Sequence, residues 1–335
     1  MTTALTSTFP TLLDYAKRVD PDGGIADVIE VLAQSNPILS DASIIEGNLP
    51  TGHRSTQRST QPTGSWRLLN QGVAPEKSTT KQVDDTCGIL EAYSKIDVDL
   101  AMLNGNEAAF RASEDDAFVA GLSSTAATAI MEGNSLTDPE QPHGLLPRYN
   151  SLTTGYTTQT ISASGSGSDN TSIWLVTWGP KTCTLIYPKG SKAGLVSDDL
   201  GKQLITDSSG YMYQAYVSKF QWKLGLALMD YRYVLRICNI DVSDLTTDAS
   251  AGADLITKMV HAYFQRPTEL IGNPNMARTY WYCNKTIAEY LTVQASNKAN
   301  VNLTMSNAGG EPIVNFYGAP VRICDAIGSD ESPVS

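Results

Sequence analysis

Charge is scarce in this chain. Only 18% of its 335 residues are Asp, Glu, Lys or Arg, where about 25% is typical. Histidine is scarcer still: His53, His143 and His261 are the full set. None lies in an H-E-x-x-H pair, beside a cysteine, or near a nucleophile elbow, so the usual metallo- and acyl-transfer signatures are absent. The five cysteines, Cys87, Cys183, Cys238, Cys283 and Cys324, are odd in number and far apart. That spacing suits reduced core thiols better than a disulfide frame or a zinc site. No apolar run approaches the ~20 residues of a membrane span, and Met1–Leu5 carries no basic, then apolar, leader pattern. The sequence gives no expectation of catalytic residues, a cofactor, a metal or a membrane.

What is present is neutral surface and an uneven charge pattern. Hydrophobic residues make up 41% of the chain, and the formal net charge is -11. A length of this order supports one large core or two smaller ones. An acidic body argues against broad nucleic-acid binding. Gly47–Lys81 runs the other way. It carries Arg54, Arg58, Arg67, Lys77 and Lys81 against a single acid, Glu76. It is dense in Gly, Pro, Ser, Thr and Gln, with Trp66, Leu68 and Leu69 near its middle. A structureless loop of that length inside a compact domain is rare and is either functional or disordered. We read it as a two-stranded ribbon reaching out of its own domain, with Trp66-Arg67-Leu68-Leu69 as a docking point.

Periodicity predicts a mixed α+β chain without regular βαβ alternation. Two short helices are expected within residues 10–34, broken at Asp20-Pro21-Asp22-Gly23-Gly24. Asp97-Val98-Asp99 would set two carboxylates on one face if it is a strand. The strongest helix is Asn106–Gly133, with Phe110, Phe118, Leu122, Ala126 and Ile130 as its apolar stripe. It would be about 40 Å long. Its polar side carries Glu107, Glu114, Asp115, Asp116 and Glu132 against Arg111. Ser162–Ser172 reads as a flexible tip. Ile173–Trp178 and Thr182–Tyr187 around Gly179-Pro180-Lys181 read as a hairpin. A helix is expected over Ala253–Gln265, a strand over Arg278–Cys283, a helix over Lys285–Ala295, and a closing strand pair over Ile313–Cys324.

FPTLLDYAKRVDPDGG (9–24), PTGSWRLLNQGVAPEKSTTKQVDD (62–85), IYPKGSKAGL (186–195), FQWKLGL (220–226), DYRYV (230–234) and RICNID (236–241) together resemble the major capsid proteins of short-tailed bacteriophages of the epsilon-15 type. The resemblance implies the Hong Kong 97-type capsid fold. In it, residues 1–45 would be the N-terminal arm and 46–85 the extended loop. Residues 86–150 would belong to the peripheral domain, with a spine helix at 106–132, and 151–335 would hold the remaining peripheral and axial segments. Gly318-Ala319-Pro320-Val321 resembles the G-x-P-V stretch of the commoner capsid families, but only a short tail follows it here. That departure implies a rearranged order of the same elements.

The function implied is an icosahedral shell subunit, assembled from hexamers and pentamers in the host cytoplasm and resident in the virion. It would enclose DNA without sequence-specific binding, with a portal and a cement or decoration protein as further partners. The contact residues expected between subunits are Arg54, Arg58, Trp66 and Arg67 on the arm and Glu114, Asp115 and Asp116 on the helix. Two other classes compete: an α+β enzyme with a site assembled from distant acids, and a decoration protein that binds an existing lattice.

Overall fold

A computed structural model describes residues 10, 36–207, 209–245, 253–267, 277–296, 303–308 and 311–335. The two helices expected within residues 10–34 lie outside the described residues. In chain order the elements begin with α1 (Ile38–Asp41), β1 (Ile44–Glu46), β2 (Gly52–Thr60), β3 (Thr79–Asp97), α2 (Val98–Ala101) and α3 (Glu107–Glu132). Five strands follow: β4 (Thr160–Ser162), β5 (Asn170–Trp178), β6 (Cys183–Tyr187), β7 (Leu195–Thr206) and β8 (Met212–Leu228). Then come β9 (Val234–Asp241), α4 (Leu255–Gln265), β10 (Arg278–Cys283), α5 (Lys285–Ser296), β11 (Leu303–Ala308), β12 (Glu311–Phe316) and β13 (Ala319–Ile323).

The chain divides into two compact units. The larger contains Ser35–Gly88, Ala127–Ala193 and Leu224–Ser335. Its centre is β5, NTSIWLVTW, every residue of which is buried. A continuous apolar strand of this kind needs cover on both faces. β5 is flanked antiparallel by β9 and by β10, and β10 continues parallel to β13. Helices α4 and α5 contribute Met259, Ile287 and Leu291 to a core with Ile173, Leu175, Leu235, Trp281 and Phe316. Toward the other side, Trp178 Nε1 donates to the Tyr282 hydroxyl (2.9 Å), which donates to Asp41 Oδ2 (3.1 Å). This chain of bonds ties α1 to the sheet.

The smaller unit includes Ile89–Ala126 and Gly194–Lys223. Its sheet is the antiparallel β7–β8 hairpin, paired from Leu195 opposite Trp222 to Thr206 opposite Met212, with a register shift between Asp199 and Lys202. The turn between them is set by Asp207 Oδ1, which accepts from Ser209 N and Tyr211 N. Ile96, Val98, Leu100, Ala101, Phe110 and Tyr216 form its core. Phe118 of α3 stacks on Phe220 of β8, with ring centroids 5.8 Å apart. The α3 stripe is buried as its periodicity predicts, at Phe110, Leu122, Ala126 and Ile130.

Three local expectations are corrected. Ile173–Trp178 and Thr182–Tyr187 do not form a hairpin. β5 already has β9 and β10 on its edges and meets β6 only at Trp178 and Cys183. β6 instead pairs antiparallel with Gly225–Leu228 and parallel with β1. Asp97 and Asp99 do not share a strand face, because Asp97 caps α2 and accepts from Asp99 N at 2.9 Å. Ser162–Ser172 is no free tip. Gly165 N donates to Asn239 O (2.9 Å), a Cβ on Gly165 would sit 2.6 Å from that oxygen, and Asn170–Ser172 is already in β5.

Candidate assembly interface

Gly47–Lys81 begins as an ordered ribbon. β2 and β3 pair antiparallel from Gly52 opposite Thr86 to Thr60 opposite Thr79, with a shift between Arg58 and Thr60. Their Thr- and Ser-rich sequences favour extended backbone, and hydroxyl bonds among Ser59, Thr60 and Thr79 close the far end. Beyond it the chain from Gln61 to Ser78 forms no strand. Glu76, the stretch's single acid, spans this tip by accepting from Thr63 N (2.8 Å) and Gly64 N (3.1 Å).

The ribbon's root is built from close backbone contacts. A Cβ on Gly52 would lie 2.0 Å from Asp85 O, and one on Gly225 would lie 2.7 Å from Thr86 O. Only glycine allows this approach. Asp85 is buried there and bonded to Arg148 (2.8 Å), while its other oxygen accepts from Leu228 N (3.1 Å). Arg148 also donates to Gly144 O and His143 O. The root is therefore fixed by a buried, hydrogen-bonded ion pair.

The seven residues expected at a contact divide by what they already touch. Arg54 is engaged within its own ribbon: Nε and Nη2 reach the two oxygens of Asp84, each at 2.6 Å, directly across the strand pair. That guanidinium holds the Asp84 carboxyl below its ordinary range. Arg58 and Arg67 are exposed and make no ion pair among the described residues. Trp66 is fully exposed, with Leu68 and Leu69 beside it at 69% and 88%. Large apolar side chains rarely cluster in water without a partner. On α3, Asp115 accepts from Ser218 Oγ (3.3 Å), and burial raises its carboxyl pKa. Glu114 is partly buried and Asp116 is exposed. Arg111 is drawn to Asp199 (2.8 Å) and lies over the Tyr216 ring.

Sequence reasoning brought forward the arm's cations but missed their intrachain acids. Asp84 and Asp85 lie at the end of the arm, and the antiparallel register that puts Asp84 opposite Arg54 could be read only once the turn was known. Arg148, in a short helical turn 63 residues further on, gave no local signal.

The chain carries a braced ribbon with an exposed, apolar and cationic tip. The Hong Kong 97-type capsid fold places it among shell-forming proteins. The chain belongs to the family of the major capsid protein GP7, whose pattern it matches over residues 20–335. It is 38% identical to a chain in the cryo-EM structure of bacteriophage epsilon15, over 99% of both chains, with a TM-score of 0.78. The bacteriophage JBD30 capsid shares the fold, at 11% identity, 96% coverage of both chains and a TM-score of 0.51. No curated protein sequence matches it. The protein is a shell-forming phage capsid subunit, with the virion as its place of residence and an icosahedral multimer as its working form.

Proposed function

We propose that this subunit forms hexamers and pentamers in the host cytoplasm, and that they are joined by its ribbon. Residues 1–45 act as the N-terminal arm, 46–85 as the extended loop, 86–150 with the 106–132 spine helix as peripheral domain, and the remainder as peripheral and axial segments. The shell works by contact and enclosure, without catalysis, and holds DNA without reading its sequence. A portal and a cement or decoration protein complete the particle.

One observation carries this reading. Trp66, Leu68 and Leu69 stand in water at the end of a ribbon whose own residues brace it. In the assembled shell Trp66 and Arg67 dock on a neighbouring copy, and Arg67 is set against Asp116, with Glu114 and Asp115 on the same helix turn. Arg54 stiffens the ribbon beneath through Asp84. Arg58, on strand β2 itself, meets an acid of the neighbour closer to the root. Exposed ion pairs contribute little singly, whereas a buried aromatic anchor contributes about 2 kcal/mol or more. Repetition around a closed shell multiplies both.

The test is a Trp66→Ala/Arg67→Ala variant. Its unassembled subunit should keep wild-type circular dichroism, while its particles should form poorly and dissociate at lower temperature and lower salt. Particles as resistant as wild type would remove the tip from the interface.

A further inference from the structure

β2 is an edge strand. It pairs with β3 along one side. On its other side Leu49 bridges to Gly52 and the Asn48 side chain takes both backbone groups of Arg54, so among the described residues the edge is open from Ser55 outward. A groove of about 760 Å³ runs there. Every residue from Ser55 to Gln61 lines it, odd and even alike. A groove over one face of a strand would meet alternate residues, so this one follows the strand's open edge. Lys181 and Met229–Arg232 form the facing wall, and Gln57 Nε2 reaches across to Leu228 O and Met229 O (3.1 and 3.0 Å). Two polar atoms of the lining residues, His53 Nδ1 and Ser55 Oγ, are buried with no hydrogen-bond partner among the described residues.

The groove's charge is positive. Arg232 is held by Asp230 through two bonds of 3.0 and 2.8 Å. Arg58 and Lys181 have no ion pair among the described residues. An open strand edge and two spare cations together suit an extended acidic segment that adds as a further strand.

This chain carries such a segment. β7 pairs with β8 alone, so its outer edge is also open among the described residues. The other described edge strands are short: three residues each in β1 and β4, and six in β11. β7 has twelve. A bulge between Asp199 and Lys202 divides β7 into two flat runs, and Leu195–Asp199, about 17 Å of strand, is the one that carries the acids. The open Ser55–Thr60 edge of β2 is about 20 Å long and has its own shift between Arg58 and Thr60. The run ends in Asp198 and Asp199. Asp199 is committed to Arg111, while Asp198 is exposed and makes no ion pair among the described residues. Among the described residues, these two open edges thus carry opposite charge.

We propose that Leu195–Asp199 of one copy adds as a strand to the open edge of β2 in a neighbouring copy, with Asp198 set against Arg58 and Lys181. This rests on the shell reading and names a surface on which two copies meet.

The experiment uses full-length subunit under conditions in which wild type forms particles. Thr56→Cys and Ser197→Cys, both at exposed positions, are combined in one chain and oxidised after assembly. A ladder of disulfide-linked multimers is expected from the double variant and from neither single variant. In parallel, Arg58→Glu/Lys181→Glu should lower particle yield by roughly tenfold or more, and adding Asp198→Lys should restore it. Circular dichroism confirms that each subunit folds. Particles without a ladder, together with groove variants that assemble as wild type does, would overturn the pairing. So would a groove that captures an acidic segment of some other protein while the double variant forms no ladder. A wild-type chain that forms no particles under any condition would instead strike at the shell reading itself.

Discussion

Arg236 is among the most heavily committed side chains of the described residues. It lies on β9 within the core and is almost fully buried. Nε donates to Ser172 Oγ (3.0 Å), Nη1 to Tyr149 O (2.7 Å) and Nη2 to Glu331 Oε2 (2.8 Å), and the guanidinium lies 5.3 Å from the Trp174 ring centre. Glu331 comes from the tail, which is also held by the two bonds between Asn239 and the Val334 backbone (2.8 and 2.7 Å). Removing one partner of a buried pair strands the other charge. Glu331→Ala should therefore cost about 3–5 kcal/mol, measured by urea unfolding of the unassembled subunit. An Arg236→Met/Glu331→Leu double variant should recover much of that loss. A Glu331→Ala subunit as stable as wild type would show that the tail does not hold the core. None of this was legible in the sequence. Arg236 sits in an apolar strand and Glu331 in a Ser/Pro tail 95 residues away, and only tertiary packing unites them.

Among elements, helices were the most legible. α3, α4 and α5 fall within a residue or two of their expected bounds because each shows sustained apolar spacing. The ribbon was legible as an anomaly of composition and length. Of the two strands expected within Gly47–Lys81, β2 lies there, but β3 begins only at Thr79 and the chain from Gln61 to Ser78 forms no strand. Its internal bracing was not, since Arg54–Asp84 and Glu76–Thr63 depend on register. β5 and β6 misled because two buried strands around Gly-Pro look like a hairpin, whereas burial on both edges gives them other neighbours. The element most exposed to a single change is the ribbon's root. Gly52→Ala would drive a methyl group into Asp85 O, which lies 2.0 Å from the ideal Cβ position. Backbone cannot yield as a side-chain tip does, so a loss of about 1–3 kcal/mol or more is expected. The β2–β3 ribbon should also become cleavable in limited proteolysis. Wild-type protease resistance in Gly52→Ala would mean that the root tolerates backbone displacement.

For the whole molecule, the unusual features share one explanation. Charges are few, the histidines are not clustered among the described residues, and burial raises the Cys87 and Cys283 thiols to about 11 and about 12. An apolar ribbon tip and two open strand edges of opposite charge are liabilities in an isolated protein. On the proposed docking, each acquires a partner in a closed lattice of identical copies. The resemblance in sequence pointed to that class, and the match to epsilon15 over 99% of both chains supports it. Which surface of the neighbour each feature meets was not legible, because sequence separation carries no information about contacts between copies. The central claim is that this chain closes into a shell by contacts between its own copies. Electron microscopy of the purified protein, expressed alone, tests it most directly. The account predicts closed particles of megadalton mass, and a 36.0 kDa monomer persisting under every assembly condition would contradict it.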